Sequence, residues 1–391
     1  MVNLGKTIFA QIIEWIHPQQ FQRCVVRYII PSQVRRFSCW DQFLCMAFAQ
    51  LTFRESLRDL EDSLRPRQRQ LYHLGFRGSI ARSTLAEANA TRDWRIYRDL
   101  ALLLIGRARD LYVGQPLDIE GLESAVVFAI DSTTVDLCLA LFPWARFRKA
   151  KAAIKIHTQL DLRGPIPTLV HVTDGKVHDV KWLDQLTFER GCFYILDRGY
   201  VDFGRLARIE KAEAFFVTRA KSNLSFYCCH SRLVPEGGGV VCDQIIRLTD
   251  PKSKAAYPKK LRRIVYVDPD TGKRLVFLTN NFILPALTIA LLYKARWQIE
   301  LFFKLIKMNF RIKGFFGREP NAVYTQIWCI IAIYTLLLII RKHLGLKVSM
   351  HTILTVVSIN IFEKVPIHEL FAEFEVTGDR NEDPNQLLIN Y

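Results

Sequence analysis

Residues 293–307 read YKARWQIELFFKLIK, a stretch of helix-forming residues that contains neither glycine nor proline. We therefore expect one continuous helix over these residues. On an ideal helix with about 3.6 residues per turn, four polar side chains of this stretch share an arc of roughly 60°: Tyr293, Arg296, Glu300 and Lys307. The remaining side chains are mostly large and apolar. The sequence thus predicts a helix anchored in a protein core that carries one narrow polar stripe.

Two aspartates upstream of this helix share a setting, because each directly follows an apolar, strand-like run and begins a polar turn. Asp131 follows AVVFAI, and Asp197 follows CFYIL. Strand ends are where functional sites collect in open α/β sheets. Either aspartate alone could simply cap a turn, and Glu300 alone could form an ion pair with Arg296 one helical turn away.

Taken together, Asp131, Asp197 and Glu300 form a set of hard oxygen ligands with no supporting histidine or cysteine. Such a set suits Mg²⁺ or Mn²⁺ and does not suit Zn²⁺. Two ions of this kind can activate a water or a hydroxyl and stabilise the departing oxygen in phosphodiester displacement. The cations of the polar stripe, Arg296 and Lys307, suit a polyanionic substrate.

The composition agrees with a polyanionic partner. The chain has 391 residues, enough for two to three domains, and its 54 Lys and Arg outnumber 38 Asp and Glu for a net charge of +16. Such a charge favours nucleic acid first and an anionic membrane second, although a merely solvated basic surface stays open. Nine cysteines without regular spacing indicate reduced thiols in an intracellular compartment.

Two weaker patterns concern metal binding and membrane insertion. Cys228, Cys229, His230 and Cys242 could in principle hold zinc, but their spacing matches no standard zinc motif. The apolar run at residues 327–340 is about fourteen residues long, which is too short to cross a bilayer, so we expect a buried core helix.

The hydrophobic pattern divides the chain into parts of different character. Residues 1 to about 120 read as helices, with Ser38 capping one of them and a T-x-x-E capping box at Thr84 opening another that runs toward Leu111. Short helices beside an Arg-rich linker permit a helix-turn-helix type of DNA reader, and a helical packing domain is the alternative.

From about residue 125 the pattern changes to short apolar runs typical of strands, alternating with helical patches. This order predicts an α/β fold with a mixed sheet. Residues 222–283 contain four more strand-like runs separated by turn residues, which predicts a β-rich insertion. The tail from about Glu369 is acidic and poorly patterned.

The polar stripe satisfies the pattern Y-x2-R-x3-E-x6-K, and with it the chain resembles the DDE transposases of bacterial insertion sequences, specifically the fourth insertion-sequence family. Three flanking motifs are similar to those of the family, namely DST at Asp131, DRGY at Asp197 and LTN ending at Asn280. NLGKTIFAQIIEWI near the start and RSTLAEAN from Arg82 are similar to the N-terminal domain that often precedes this catalytic core. The resemblance covers nearly the whole chain except the tail.

The resemblance implies a ribonuclease-H-like catalytic core at residues 121–221 and 284–345, interrupted by the β-rich insertion at residues 222–283. A helical N-terminal DNA-binding domain would occupy residues 1–120. A C-terminal helical region and the acidic tail would occupy residues 346–391.

The resemblance also implies the roles of individual residues. Asp131, Asp197 and Glu300 would be the catalytic triad and would bind two Mg²⁺ or Mn²⁺ ions. Three residues of the polar stripe would contact phosphates of the transposon end: Tyr293, Arg296 and Lys307. Two arginines of the N-terminal domain, Arg82 and Arg92, are candidates for further DNA contacts. Asp136 would face the opposite side of its strand and be the weaker ligand. Asp179, in VHDV, is similar to a family position and is interpreted as structural.

The predicted function is a DNA transposase that binds the terminal inverted repeats of an insertion sequence and performs metal-dependent cleavage and strand transfer by cut-and-paste. Family members are thought to pass through a hairpin at the element's end. The expected partners are double-stranded DNA, as inverted repeats and target, and a second protomer in the synaptic complex. We expect no membrane association, and a place in the bacterial cytoplasm at the nucleoid. Two alternatives stay open: a DNA-binding protein derived from such an element that no longer cuts, and a ribonuclease-H-like nuclease without strand transfer.

Overall fold

The computed structural model describes residues 5–29, 37–148, 151–234, 237–310, 312, 314–372 and 374, apart from the side chain of Gln70. The chain forms two compact units: Met1–Leu111 with Leu305–Tyr391, and Tyr112–Lys304. The first is helical and the second contains the β-sheet. The predicted domain boundaries stay predictions. Of the tail predicted from about Glu369, a short 3₁₀ helix at Glu369–Phe371 is described, and residues from 375 onward lie outside the described residues.

The α-helices of the described chain are numbered in chain order: α1 Ile8–Ile13, α2 Pro18–Val26, α3 Cys39–Leu51, α4 Leu57–Leu64, α5 Arg82–Thr91, α6 Arg95–Leu111, α7 Asp179–Trp182, α8 Phe203–Lys211, α9 Pro251–Ala256, α10 Ala286–Lys294, α11 Trp297–Met308, α12 Pro320–His343 and α13 Met350–Asn360. The strands are β1 Val127–Leu137, β2 Arg146–Arg148, β3 Lys151–Asp161, β4 Ile166–Asp174, β5 Phe193–Leu196, β6 Phe215–Arg219, β7 Phe226–Arg232, β8 Val240–Leu248, β9 Leu261–Val267 and β10 Arg274–Thr279. A 3₁₀ helix at Arg65–Leu74 follows α4.

The helical unit is built around α12, which packs against α3, α5 and α6. The prediction of a core helix here is confirmed, since α12 is buried from Thr325 to Ile340. The predicted length of about fourteen residues was wrong, because α12 has 24 residues. By length and composition alone, this helix is long and apolar enough to cross a membrane. Within this unit, 94% of its most apolar segment is buried.

The predicted helix starts in this unit had mixed outcomes. Ser38 caps α3 as predicted: its side chain accepts from the Asp41 N–H, and Asp41 accepts from the Ser38 N–H. The prediction at Thr84 was wrong, because α5 begins at Arg82 and ends at Thr91, well short of Leu111. The Asn321 side chain donates to two backbone carbonyl groups at the end of α5, those of Asn89 and Arg92. This tertiary contact supplies hydrogen bonds to carbonyl groups that a helix leaves without partners at its C-terminal end.

The sheet of the second unit has ten strands in the order β2-β3-β1-β5-β6-β10-β9-β8-β7, with β4 also paired to β3. β1 runs antiparallel to β3 and parallel to β5, and β5 runs parallel to β6. The prediction of an α/β fold with a mixed sheet is confirmed. β5 and β6, which follow β1 in the sheet, consist mainly of branched and aromatic residues, as expected for strands covered on both faces.

The strands of residues 222–283 extend this same sheet. β7, β8, β9 and β10 form an antiparallel series, and β10 joins it to β6. A buried ion pair joins β8 and β9 in this series. Arg262 is only 1% exposed and makes two hydrogen bonds, of 2.7 and 2.8 Å, to the Asp243 carboxylate. Arg262 also donates to the carbonyl oxygens of Asn281 and Leu284, and so ties β9 to the loop that leads into α10.

The cysteines agree with the expectation of reduced thiols, since all nine are free. Cys228 and Cys229 lie on β7 and Cys242 on β8. In the described part of the chain, no group of three His, Cys, Asp or Glu residues is arranged to hold a metal ion, and these cysteines are included in that statement.

Candidate active site

Two aspartates meet where the parallel ladder between β1 and β5 ends. The last paired residues of this ladder are Ile130 and Leu196, so Asp131 and Asp197 each directly follow the end of the ladder. The prediction that Asp131 begins a turn was wrong: β1 continues to Leu137, because its other edge stays paired with β3 and Asp131 lies opposite Thr158. Asp197 does leave its strand, at the start of a short 3₁₀ helix.

The two aspartates project to one face of the sheet. Ile130 and Leu196 belong to the hydrophobic core on the opposite face, which includes Trp182 and Leu206. Because successive side chains of a strand alternate between faces, Asp131 and Asp197 must point away from that core.

The predicted continuous helix at residues 293–307 is divided in two, and this prediction was wrong. α10 ends at Lys294 and α11 begins at Trp297. Across the junction the backbone makes three tight i→i−3 bonds, including the Arg296 N–H to the Tyr293 carbonyl and the Ile299 N–H to the Arg296 carbonyl. Helix propensity is uniform here, so tertiary contacts decide where the helix tightens. Arg296 therefore lies in the junction, between the helices.

The junction places Arg296 between two carboxylates. Its Nη1 donates to Asp131 Oδ2 at 3.0 Å and its Nη2 to Glu300 Oε1 at 2.5 Å. Tyr293, at the end of α10, donates its hydroxyl to Asp197 Oδ1 at 3.2 Å. All three predicted acids, with Tyr293 and Arg296, therefore converge on one site within the second unit.

The site is short of positive charge despite Arg296. The pKa of Asp131 is raised to about 6, mainly by burial and to a smaller extent by the nearby Asp197 and Glu300, against the lowering effect of Arg296 and the Ser132 N–H. Burial likewise raises the pKa of Tyr293 to about 12, so its hydroxyl remains a donor. For Arg296 burial lowers the pKa, but Tyr293, Glu300 and Asp131 outweigh it and the net shift is upward.

The chemistry of this donor set fits a divalent cation. Three carboxylates share one partly buried site with a single guanidinium, that of Arg296, so within the described contacts of the site two of the three negative charges have no cation. Hard oxygen ligands of this kind suit Mg²⁺ or Mn²⁺. Among the residues that the structure describes, no three acids already stand as a metal-binding group, and Arg296 lies between Asp131 and Glu300.

The other predicted DNA-binding residues lie in the helical unit. Lys307 is in the last turn of α11. Arg82 is exposed at the start of α5. Arg92 is half-buried, and its guanidinium donates to the carbonyls of Phe37 and Ser38 and to Gln42, so it holds the start of α3. A DNA contact by Arg92 stays a prediction, but its side chain already has three partners inside the protein.

Sequence reasoning missed one residue that touches the site. The Ser132 N–H donates to Asp131 Oδ1 at 2.8 Å, and the Ser132 hydroxyl donates to Asp179 Oδ1 at 2.5 Å. The signal in the sequence was its place in the DST motif at Asp131, to which no role of the serine was assigned. Asp136 lies on the same strand and is exposed; its odd separation from Asp131 puts the two on opposite faces.

A family model described as a transposase DDE domain matches residues 123–336. A model for a domain of unknown function (DUF4372) matches residues 4–77.

Two bacterial relatives carry transposase names. A Sinorhizobium fredii (strain NBRC 101917 / NGR234) protein named as transposase y4zB is 36% identical over 262 residues, covering 66% of this chain and 71% of the relative. A Geobacillus stearothermophilus protein named as a transposase for insertion sequence element IS5377 is 31% identical over 210 residues, covering 53% of this chain and 55% of the relative.

Among solved structures, this chain is similar to the cryo-EM structure of a piggyBac transposase synaptic complex with hairpin DNA. The match has a TM-score of 0.43 and 13% identity, and it covers 97% of this chain and 82% of that one. A similarity of this size is too weak to support an inference about this chain.

Proposed function

The chain belongs to the DDE transposase family and is a DNA transposase of the insertion-sequence type, and we propose that Asp131, Asp197 and Glu300 are its catalytic, metal-binding triad. The single observation that carries this assignment is the convergence of the three acids on Arg296 and Tyr293. These five residues come from separate parts of the chain, and the sheet and the two helices bring them together.

The strand order supports the finer proposal of a ribonuclease-H-like core. β4, β3 and β1 form an antiparallel set, and β5 and β6 follow β1 in parallel. Strands β7–β10 would then be the insertion, added to the free edge of β6. Residues 1–120 would be the helical N-terminal DNA-binding domain of the proposal.

In the proposed reaction, Asp131, Asp197 and Glu300 hold two Mg²⁺ or Mn²⁺ ions. Bound divalent ions of this kind increase the acidity of a water and stabilise charge on the departing oxygen. Because Arg296 bridges Asp131 and Glu300, its guanidinium would compete with bound ions for these carboxylate oxygens. Three residues would then contact phosphates of the DNA strand: Arg296, Tyr293 and Lys307. Hydrogen bonds to a charged phosphate are stronger in a partly buried site, because the local dielectric constant is lower than in water.

The proposed partners are double-stranded DNA, as the element's terminal inverted repeats and a target, and a second copy of this chain that holds the other end. The proposed place of action is the bacterial cytoplasm, at the nucleoid. An excess of 16 positive charges supports a nucleic-acid partner.

An exposed basic segment of the helical unit is the proposed DNA-backbone surface. It comprises the 3₁₀ helix and the chain up to α5, with four exposed arginines and an exposed tyrosine: Arg65, Arg69, Arg77, Arg82 and Tyr72. Tyr72 is 83% exposed, so its ring is accessible to a DNA partner.

We expect the double change Arg69→Ala with Arg77→Ala to weaken DNA binding about tenfold and to reduce the salt slope of log Kd by roughly 2, because two phosphate contacts are lost. Binding would be measured by fluorescence anisotropy at several salt concentrations. The matched control removes Arg23 and Lys364, two exposed cations of the same unit. Equal losses in both double variants would mean that net charge, and not this segment, governs binding.

The function is tested with purified protein, Mg²⁺ and duplex DNA carrying the inverted repeats that flank the coding region. We expect end cleavage followed by joining of the free 3′ end to a target plasmid. Binding without any metal-dependent cleavage would identify a protein that no longer cuts, and cleavage without joining would identify a nuclease. Either result would contradict the proposal.

A further inference from the structure

The catalytic-site aspartate Asp131 is held from two sides. Arg296 bonds one carboxylate oxygen, Oδ2, and the Ser132 N–H bonds the other, Oδ1. In the proposed reaction Arg296 also contacts DNA phosphates and competes with bound ions for Asp131, so its bond to Asp131 would change when DNA and ions bind. The Ser132 N–H belongs to the backbone of a strand and can stay in place, so it is the permanent constraint on the orientation of Asp131.

The side chain of Ser132 is itself anchored on the other face of β1. Side chains alternate along a strand, so Ser132 points away from the face that carries Asp131. There its hydroxyl donates to Asp179 Oδ1 at 2.5 Å. Lys155, on the adjacent strand β3, lies with its Nζ 3.0 Å from the same oxygen and also donates to the carbonyl of Val177. The Lys155 side chain is 12% exposed and that of Asp179 is 36% exposed, so this ion pair is partly shielded from solvent.

We propose that Asp179 is a positioning residue, which fixes the orientation of the Asp131 carboxylate through Ser132 from the opposite face of β1. The inference rests on the proposed catalytic role of Asp131. It assigns a function to a side chain that does not face the site and that the sequence alone indicates only as structural.

The contacts of Asp179 suit such a role. It must accept hydrogen bonds continuously, and it does so best when ionised. Burial raises the pKa of Asp179, but the Ser132 hydroxyl and Lys155 outweigh this and the net shift is downward. A partner that orients a metal-binding side chain in this way typically contributes about 10- to 100-fold to metal affinity or activity.

A neighbouring acid provides the matched control. Asp184 lies five positions after Asp179 in the same short helical segment, and it also pairs with cations, the guanidinium groups of Arg205 and Arg208. Neither of these contacts leads to Asp131. A purely structural contribution of the segment should therefore appear equally in variants of both acids.

The test measures three quantities for each variant: the single-turnover rate of cleavage of inverted-repeat DNA at saturating protein, the affinity for that DNA, and the temperature of thermal unfolding. We expect Asp179→Ala and Ser132→Ala each to reduce the cleavage rate about 10- to 100-fold with DNA affinity changed less than about twofold. The double variant should lose no more than either single variant, because both changes break one connection. Asp179→Asn, which keeps an acceptor oxygen, should recover most of the rate.

A readout that does not depend on activity is hydrogen exchange of the peptide covering β1 in metal-free protein. We expect faster exchange in Asp179→Ala than in wild type and no change in Asp184→Ala. The inference is overturned if Asp179→Ala cleaves and exchanges like Asp184→Ala, or if the losses of Ser132→Ala and Asp179→Ala add. Failure of the underlying assignment looks different, because Asp131→Asn would then cleave at the wild-type rate.

Discussion

Replacing Asp197 with asparagine is expected to reduce DNA cleavage and strand transfer by about 10³-fold or more, which corresponds to roughly 4 kcal/mol of transition-state stabilisation. The change removes one of three acids that would hold the ions and leaves the size of the side chain and the bond from the Tyr293 hydroxyl in place. DNA affinity should change less than about twofold, because affinity depends mainly on cations that the change does not touch. Cleavage would be measured on inverted-repeat DNA with Mg²⁺, and binding by anisotropy with Ca²⁺.

The control for this experiment is Asp202→Asn. Asp202 caps α8 and pairs with Arg205, and asparagine is an equally good helix cap, so activity should stay within about twofold of wild type. If Asp197→Asn cut DNA as fast as Asp202→Asn did, Asp197 would not belong to the catalytic triad.

Breaking the buried ion pair between Arg262 and Asp243 is expected to have the largest effect on stability. Arg262→Met should lower the free energy of unfolding by about 3–5 kcal/mol, because it leaves Asp243 in the interior without its bidentate partner. Two carbonyl oxygens, of Asn281 and Leu284, also lose a donor. The loss would be measured by urea unfolding of the full chain. Since these contacts anchor the loop before α10, cleavage should fall as well.

Arg263→Met provides the matched comparison. Arg263 is the next residue along β9 and is half-buried; it donates to Gln244 and stacks on Phe226. Its replacement should cost no more than about 1 kcal/mol, as for most partly exposed polar contacts. In the double variant Arg262→Met with Asp243→Leu the stability should be partly restored, because no carboxylate remains buried without its partner. Similar losses for Arg262→Met and Arg263→Met would show that the buried pair has no special role.

Much of the sheet could be predicted from local pattern. The runs that precede Asp131 and Asp197 are apolar on both faces, and short runs of this kind are strands when polar turns bound them. They are observed as the start of β1 and as β5. The cap at Ser38 was equally local, since both of its bonds lie within four residues. Thr84 fits the same motif, yet a contact from Asn321, far along the chain, decides where that helix ends.

The junction between α10 and α11 shows where local reasoning stops. Residues 293–307 contain no helix breaker, so propensity predicts one helix. In the folded chain Arg296 reaches Asp131, 165 positions earlier, and Tyr293 reaches Asp197, 96 positions earlier. Bonds between charged or polar groups in a partly buried site outweigh the small propensity differences at one helical turn.

The sequence by itself determined which side chains this protein can use for chemistry, and that two of its aspartates follow buried strands, because both properties depend only on residue types and their nearest neighbours. The tertiary structure alone decided that these aspartates lie side by side, that Arg296 stands between Asp131 and Glu300, and that Asp179 reaches Asp131 through Ser132. Strand register and helix packing set these distances. Both are fixed by contacts between residues far apart in the chain, which no local pattern records.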